Sequence, residues 1–184
     1  MKLHATYVAL VIILVPTVSL AEDFNVEEQG LAPLPKNVES TIRNDKSFAG
    51  IQNCSLIGKA VNITGQNISG FVATTKDGCA WGAATGPIWV VHDAKQNSKM
   101  VLNYGGNSLT LGTQIENGFR NITITEGTAG WHSESQWKFD GTSYAKITET
   151  SDVNGKSGLP LNTPSPRKAR HFPKSEPIVV PPRE

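Results

Sequence analysis

This chain of 184 residues is short of several things that usually identify a protein. It has two cysteines, too few for a disulfide-dense mini-scaffold or a four-thiolate zinc site. Beyond the first twenty residues it has no apolar run long enough to cross a bilayer. Its formal net charge is +1 and the only basic excess lies near the C-terminus, so the domain-wide basic footprint of a nucleic-acid binder is missing. It lacks a Gly-x-Ser-x-Gly elbow, a phosphate-cradling glycine loop and paired zinc-ligand spacing, which removes the most readily recognised enzyme classes. No internal repeat is long enough to build a solenoid.

What is present begins with the ends. Lys2 gives a small positive start, Ala5 to Leu20 is almost wholly apolar, and Ser19-Leu20-Ala21 places small residues before Glu22. This predicts a signal peptide over residues 1–21. The alternative, an uncleaved anchor, is disfavoured by the shortness of the run and by Pro16. The expected location is therefore periplasmic or secreted. Residues 22–37 are acidic, carry two prolines and show little periodicity, and read as a flexible segment. Residues 151–184 hold seven of the eleven prolines and no apolar period, and read as a disordered tail. Within it Arg167, Lys168, Arg170 and Lys174 could make a weak contact with an anionic surface, and "PIVVPP" could add as a strand to a partner's sheet edge.

The middle, residues 38–150, reads as one β domain. Gly105-Gly106-Asn107, Asn117-Gly118 and Asp140-Gly141 supply tight-turn chemistry between segments that alternate in polarity. Leu109, Leu111 and Ile115 share one face; Ile122 and Ile124 share another; Trp137 and Phe139 lie opposite Glu134, Gln136 and Lys138. The pattern predicts an antiparallel meander of five strands over 99–104, 108–115, 119–125, 134–139 and 142–148. Ile88 to Val91 does not alternate and should be covered on both faces. Phe71 to Thr75 predicts another strand, and Val38 to Asn44 a short helix capped by Asn37. The fold class is mainly β: a small antiparallel meander sheet or sandwich with a short N-terminal helix and one disulfide.

Cys54 and Cys79 are the candidate pair for that disulfide, whose closed loop would stabilise the fold by roughly 3–4 kcal/mol in the chain-entropy model. A reactive thiolate would need a base beside it, and only His92 and His132 are candidates. Beside Cys79, Trp81 precedes Gly82-Ala83-Ala84-Thr85-Gly86, small enough either for tight packing of the indole across a bend or for a shallow site floored by it. His92-Asp93 and His132-Ser133-Glu134 are the only His–acid neighbours; they would need to converge to hold a metal, and they read more simply as loop and strand-end polar groups. No metal and no cofactor is expected. Asn53, Asn62, Asn67 and Asn121 each begin a glycosylation sequon.

The run "NISGFVATTKDGCAWGAATGPIWVV", followed by "NGFRNITI" and "QWKFDGTSYAKI", resembles small exported bacterial proteins related to FG-GAP and VCBS β modules. The residues that carry the resemblance are Cys79, Asn117-Gly118-Phe119, and Phe139-Asp140-Gly141 with Tyr144. The carboxylate-bearing calcium turn of such modules is replaced here by "NITGQNISG". The resemblance implies binding or scaffolding. Together with the absence of a catalytic constellation, it leads to an exported non-enzymatic binding protein that recognises or inhibits another envelope or secreted protein, of the toxin-neutralising or hydrolase-inhibiting kind, with Trp81, Trp131 and His132 as contacts. Two other readings stand beside it. One is a small envelope hydrolase using His92, Asp93, His132 and Glu134. The other is a carbohydrate-binding or structural envelope module with Trp81 and Trp131 as stacking platforms.

Overall fold

The computed structural model describes residues 21–82, 85–94, 97–153 and 156–157. Of the predicted signal peptide, residues 1–20 lie outside them, as does the predicted tail from residue 158 on. The elements are β1 (Glu22–Asn25), β2 (Ala32–Pro33), α1 (Lys36–Arg43), a 3-10 turn at Lys46–Phe48, β3 (Leu56–Val61), β4 (Gly70–Thr75), a second 3-10 turn at Lys76–Gly78, β5 (Gly86–Ala94), β6 (Asn97–Gly106), β7 (Ser108–Glu116), β8 (Phe119–Thr128), β9 (Trp131–Phe139), β10 (Tyr144–Val153) and β11 (Lys156–Ser157). All pairings are antiparallel. They make two sheets, an outer one ordered β1-β7-β8-β9-β10-β11 and an inner one ordered β2-β3-β4-β5-β6.

Three layers result. The outer sheet packs one face onto the inner sheet around Leu109, Leu111, Ile122, Ile124, Val72, Ile88, Val90 and Leu102. The far face of the inner sheet is covered by α1 and the first 3-10 turn, whose Val38, Ile42 and Phe48 close over Trp89, Val91, Ala73 and Leu56. Val38 and Ile42 are one helical turn apart and so share the stripe that docks. Ile88 to Val91 is buried at every residue, as its lack of alternation requires.

Four sequence expectations need correction. First, the meander has four strands, β7 to β10, because β6 belongs to the inner sheet. Gly105-Gly106-Asn107 is a crossing between sheets rather than a hairpin. A Cβ on Gly106 would stand 2.7 Å from Ile124 Cγ2 and 3.1 Å from the Thr125 carbonyl, so glycine is what lets the sheets meet at this corner. Second, residues 22–37 are built into the fold: β1 pairs with β7 through Phe24 opposite Leu109, and Phe24 is buried. Local periodicity cannot reveal a four-residue edge strand whose partner lies so far along the chain. Third, α1 begins at Lys36 and its N-cap is Pro35, not Asn37. Asn37 instead reaches across to the inner sheet, donating from Nδ2 to Asp93 Oδ1 at 2.9 Å and Ser98 Oγ at 2.7 Å. Fourth, Ile115 keeps the face of Leu109 and Leu111, since across a bulge in β7 it pairs with the inward Arg120, but it lies at the end of the sandwich and is half exposed rather than buried. At the other end, β10 continues past residue 150 to Val153.

Candidate functional site

Cys54 and Cys79 form a disulfide, with their Cα atoms 5.7 Å apart. It fixes the turn after β4 to the approach to β3. Trp81 follows immediately and is held on several sides. Its indole N–H donates to Thr75 Oγ1 at 2.9 Å, and the Thr75 hydroxyl donates to the Cys79 carbonyl. The ring lies so close over Gly86 that a Cβ there would stand 2.9 Å from Cε2 and Nε1. The indole thus packs across a bend, and a cleft of about 320 Å³ also opens at the small-residue run, lined by Ala80, Gly82, Thr85 and Gly86 with Trp89 and Tyr104 rather than by Trp81; Ala83 and Ala84 lie outside the described residues. Ala80, between the disulfide and the indole, adopts φ +63°, a left-handed conformation costly for a residue with a Cβ.

The other residues singled out from sequence fall in two places. Trp131 and His132 are neighbours at the start of β9, paired with Thr128 and Gly127 of β8, and strand alternation points them to opposite faces. Glu134 is exposed two residues further along, on the face of His132. His92 lies near the end of β5, its ring edge-on to Phe119 at 5.1 Å. Asp93 accepts from Asn37 and from Ser98 Oγ at 2.7 Å. Phe119 and Gly127 stand near opposite ends of β8, about 26 Å apart at the rise of an extended strand. His92-Asp93 and His132-Glu134 are thus at opposite ends of the sandwich, and the four side chains envisaged for a hydrolase do not converge. No cluster of three or more His, Cys, Asp or Glu side chains able to hold a metal occurs among the described residues.

Around His92, the loop between β3 and β4 meets the β7–β8 hairpin. The Arg120 N–H donates to the Ile63 carbonyl, and a Cβ on Gly65 would stand 2.4 Å from Ile115 Cδ1. A file of rings backs this end: His92 on Phe119, Phe119 stacked on Phe139 at 3.9 Å, and Phe139 edge-on to Tyr144 at 5.6 Å. On it stand two large apolar side chains open to water, Ile68 at 71% and Ile115 at 50% relative exposure. Sequence reasoning passed over both, Ile115 because it was placed in the core.

Arg120 was passed over as well. It shares the inward face of β8 with Ile122 and Ile124 and is only 2% exposed. Nε donates to the Gly112 carbonyl at 2.6 Å, Nη2 to Leu111 at 2.8 Å and Nη1 to Asn62 at 3.2 Å, and the Glu22 carboxylate lies 3.6 Å away. The guanidinium therefore ties β7, β1 and the segment after β3 together. An arginine at an inward position of an alternating strand was a visible signal. Tyr144 adds its hydroxyl to the Arg120 carbonyl at 2.7 Å, and burial pushes its phenol well above the usual tyrosine range.

At the β10 side the sandwich interior turns polar. Lys146 Nζ donates to Tyr104 Oη at 2.6 Å and to Glu149 Oε2 at 3.1 Å, and sits over the rings of Tyr104 and Trp137. Ser133 donates to Glu149 at 3.2 Å, and the Trp137 indole to Ser135 at 2.9 Å. Burial raises the Tyr104 pKa. For Lys146 burial acts the other way, but hydrogen bonds to Tyr104 and Glu149 outweigh it and the pKa is raised. These groups satisfy one another.

Taken together, fold and geometry define a disulfide-pinned antiparallel β-sandwich with one covering helix. Comparison with known proteins matched no family model, no curated protein and no solved structure. Among the described residues no helix is long and apolar enough to cross a membrane.

Proposed function

We propose that this chain is an exported, non-enzymatic binding protein of the periplasm or secretion space, and that it recognises another protein there. The observation that carries the reading is the end of the sandwich at His92, where Ile68 of the β3–β4 loop and Ile115 near the end of β7 stand exposed, at the end that holds the stacked rings of Phe119 and Phe139. Apolar side chains held out on rigidly supported loops are the usual substance of a protein contact. Three lysines on the strands are already paired, Lys59 with Glu28, Lys138 with Glu116 and Lys146 with Glu149, which suits a scaffold. The disulfide supports an oxidising compartment. Trp131 and His132 lie at the opposite end and point to opposite faces.

The test is capture of partners from periplasmic extract and culture medium by the immobilised mature chain. Ile68→Asp should abolish capture of a specific partner, whereas His132→Ala should leave it. A partner lost with His132→Ala or Trp131→Ala but kept with Ile68→Asp would move the contact to the other end. Failure to retain any protein above background would count against the reading as a whole.

A further inference from the structure

The two sheets are unequal in width, and the difference leaves one side of the sandwich open. The outer sheet runs on past β9 to β10, whereas the inner sheet ends at β6. β6 lies beneath β8 and β9: Gly106 approaches Ile124, and the Tyr104 ring meets Trp137 at 4.7 Å. Lys146, Glu149, Ser151 and Val153 of β10 stand opposite Trp137, Ser135, Ser133 and Trp131 of β9 and share their inward face. No inner strand follows β6 beneath them, and Val153 is 53% exposed despite its inward place. There is room for one more inner strand, roofed by β10.

The wall of that opening is the free edge of β6. Among the described residues, no hydrogen bond beyond the β5 ladder reaches the backbone of Met100 to Tyr104. Proteins usually close such an edge with lysine, proline or an inward charge. The run Met100-Val101-Leu102-Asn103-Tyr104 has none of these, whereas β10 turns Lys146 and Glu149 inward. Val101 is an extra residue against β5, a bulge of the kind concentrated beside functional sites. A groove of about 280 Å³ follows the edge past Met100, Leu102 and Asn103, with Trp137 and Tyr144 on the outer-sheet side and Asp45 on the helix side. An added strand must alternate its side chains between these two walls. Those turned to Trp137 and Tyr144 meet aromatic rings. Those turned to Asp45 meet a carboxylate that accepts from Ser47 and Asn103 but pairs with no cation among the described residues.

We infer that β6 receives an extended segment of a partner protein as a sixth inner strand, with an apolar side chain under Trp137 and Tyr144 and a neighbouring lysine or arginine facing Asp45. Main-chain hydrogen bonds supply the affinity and the two walls the specificity. The inference rests on the reading of this chain as a protein-binding one, but it uses a different surface from Ile68 and Ile115.

The test is a titration of the isotopically labelled mature chain with a capped octapeptide of alternating valine and lysine, followed by amide chemical shifts and hydrogen exchange. Two further peptides serve as comparisons, one with glutamate for lysine and one methylated on alternate backbone nitrogens. In the free chain the outward amides between Met100 and Tyr104 should exchange fast. The valine–lysine peptide should saturate in the millimolar range or below and protect them. The methylated peptide keeps its side chains but cannot form the ladder, and should bind about tenfold more weakly or worse. The glutamate peptide should also bind more weakly. Asp45→Asn keeps the acceptor that caps the 3-10 turn, and should remove the preference for lysine. Unchanged shifts over β7 and β8 in this variant verify the fold. Ile68→Asp should leave peptide binding intact even where it abolishes partner capture, so the two readings fail separately. Absence of saturable shifts, shifts centred on Ile68 or on the edge of β10, protection of the β6 amides in the free chain, equal binding of the methylated peptide, or an unchanged lysine preference in Asp45→Asn would overturn the proposal.

Discussion

The two sheets bury their residues in different ways. Strand β5 of the inner sheet is covered by α1 on one side and by the outer sheet on the other, and reads as an unbroken apolar run from Ile88 to Val91. Strands β8 and β9 of the outer sheet cover one face only; Ile122 and Ile124 go inward while Asn121, Thr123 and Thr125 face the other way. The central strand of the inner sheet therefore directs its side chains into contacts on both sides. The outer sheet has no layer over its other face. Burial on both faces is thus confined to the inner layer and burial on one face to the outer.

That division can be broken most severely at Trp89, which is 1% exposed, packs edge-on against Phe48 at 5.8 Å and donates its indole N–H to Ser47 at 2.9 Å. Trp89→Ala should cost about 3–5 kcal/mol in denaturant unfolding, if the domain folds at all. Next comes the bridge. Reduction of Cys54–Cys79 should cost about 2–5 kcal/mol, and Cys54→Ser and Cys79→Ser should melt alike, as two halves of one crosslink must. A large difference between the two variants would mean that one sulfur has a separate role.

A smaller effect is expected where the layers touch. Gly106→Ala drives a Cβ to within 2.7 Å of Ile124 Cγ2, and should cost about 1–3 kcal/mol by overpacking. The polar side of the interior should show itself in alkali. Tyr104 and Lys146 both have raised pKa values, so the folded state favours their protonated forms. Their contribution is complete below the ordinary range near pH 10 and is lost as the pH rises through the higher folded values. The melting temperature should fall between about pH 9 and about pH 11, and less steeply in Tyr104→Phe, which cannot ionise there. The smallest change belongs to the free face: Thr123→Val should alter stability by no more than about 0.5 kcal/mol. A larger loss would mean that the outer face is part of the framework after all.

Much of this architecture was readable in advance where the signal was local. Alternation marked β8 and β9, the continuous run marked β5, and the even cysteine count marked the disulfide. What escaped depended on contacts distant in sequence. The assignment of β6 to the other sheet follows from the approach of Gly106 to Ile124, which no turn dipeptide encodes. The order of residues 22–37 follows from pairing with β7. Ile115 keeps the face of Leu109 and Leu111, opposite Arg120, yet it lies where the sandwich ends and is half exposed. The candidate site was less legible still. Trp81, chosen for its setting of small residues, is engaged by Thr75 and Gly86, and Trp131 and His132 point apart although adjacent. Asn121 was noticed only as a sequon, and its buried Oδ1 and bonded Nδ2 leave the amide poorly placed to accept a glycan.

The pairing of β1 with β7 also orders events in time. Asp23 accepts a hydrogen bond from Thr110, 87 residues further along the chain. Synthesis delivers β1 first, yet its ladder partner is among the later segments to appear, and Glu22 reaches Arg120 later still. Contacts so distant in sequence must wait for a long loop to close, which slows folding. The opening strand therefore has no ladder partner until β7 has been made, by which point every strand of the inner sheet has preceded it.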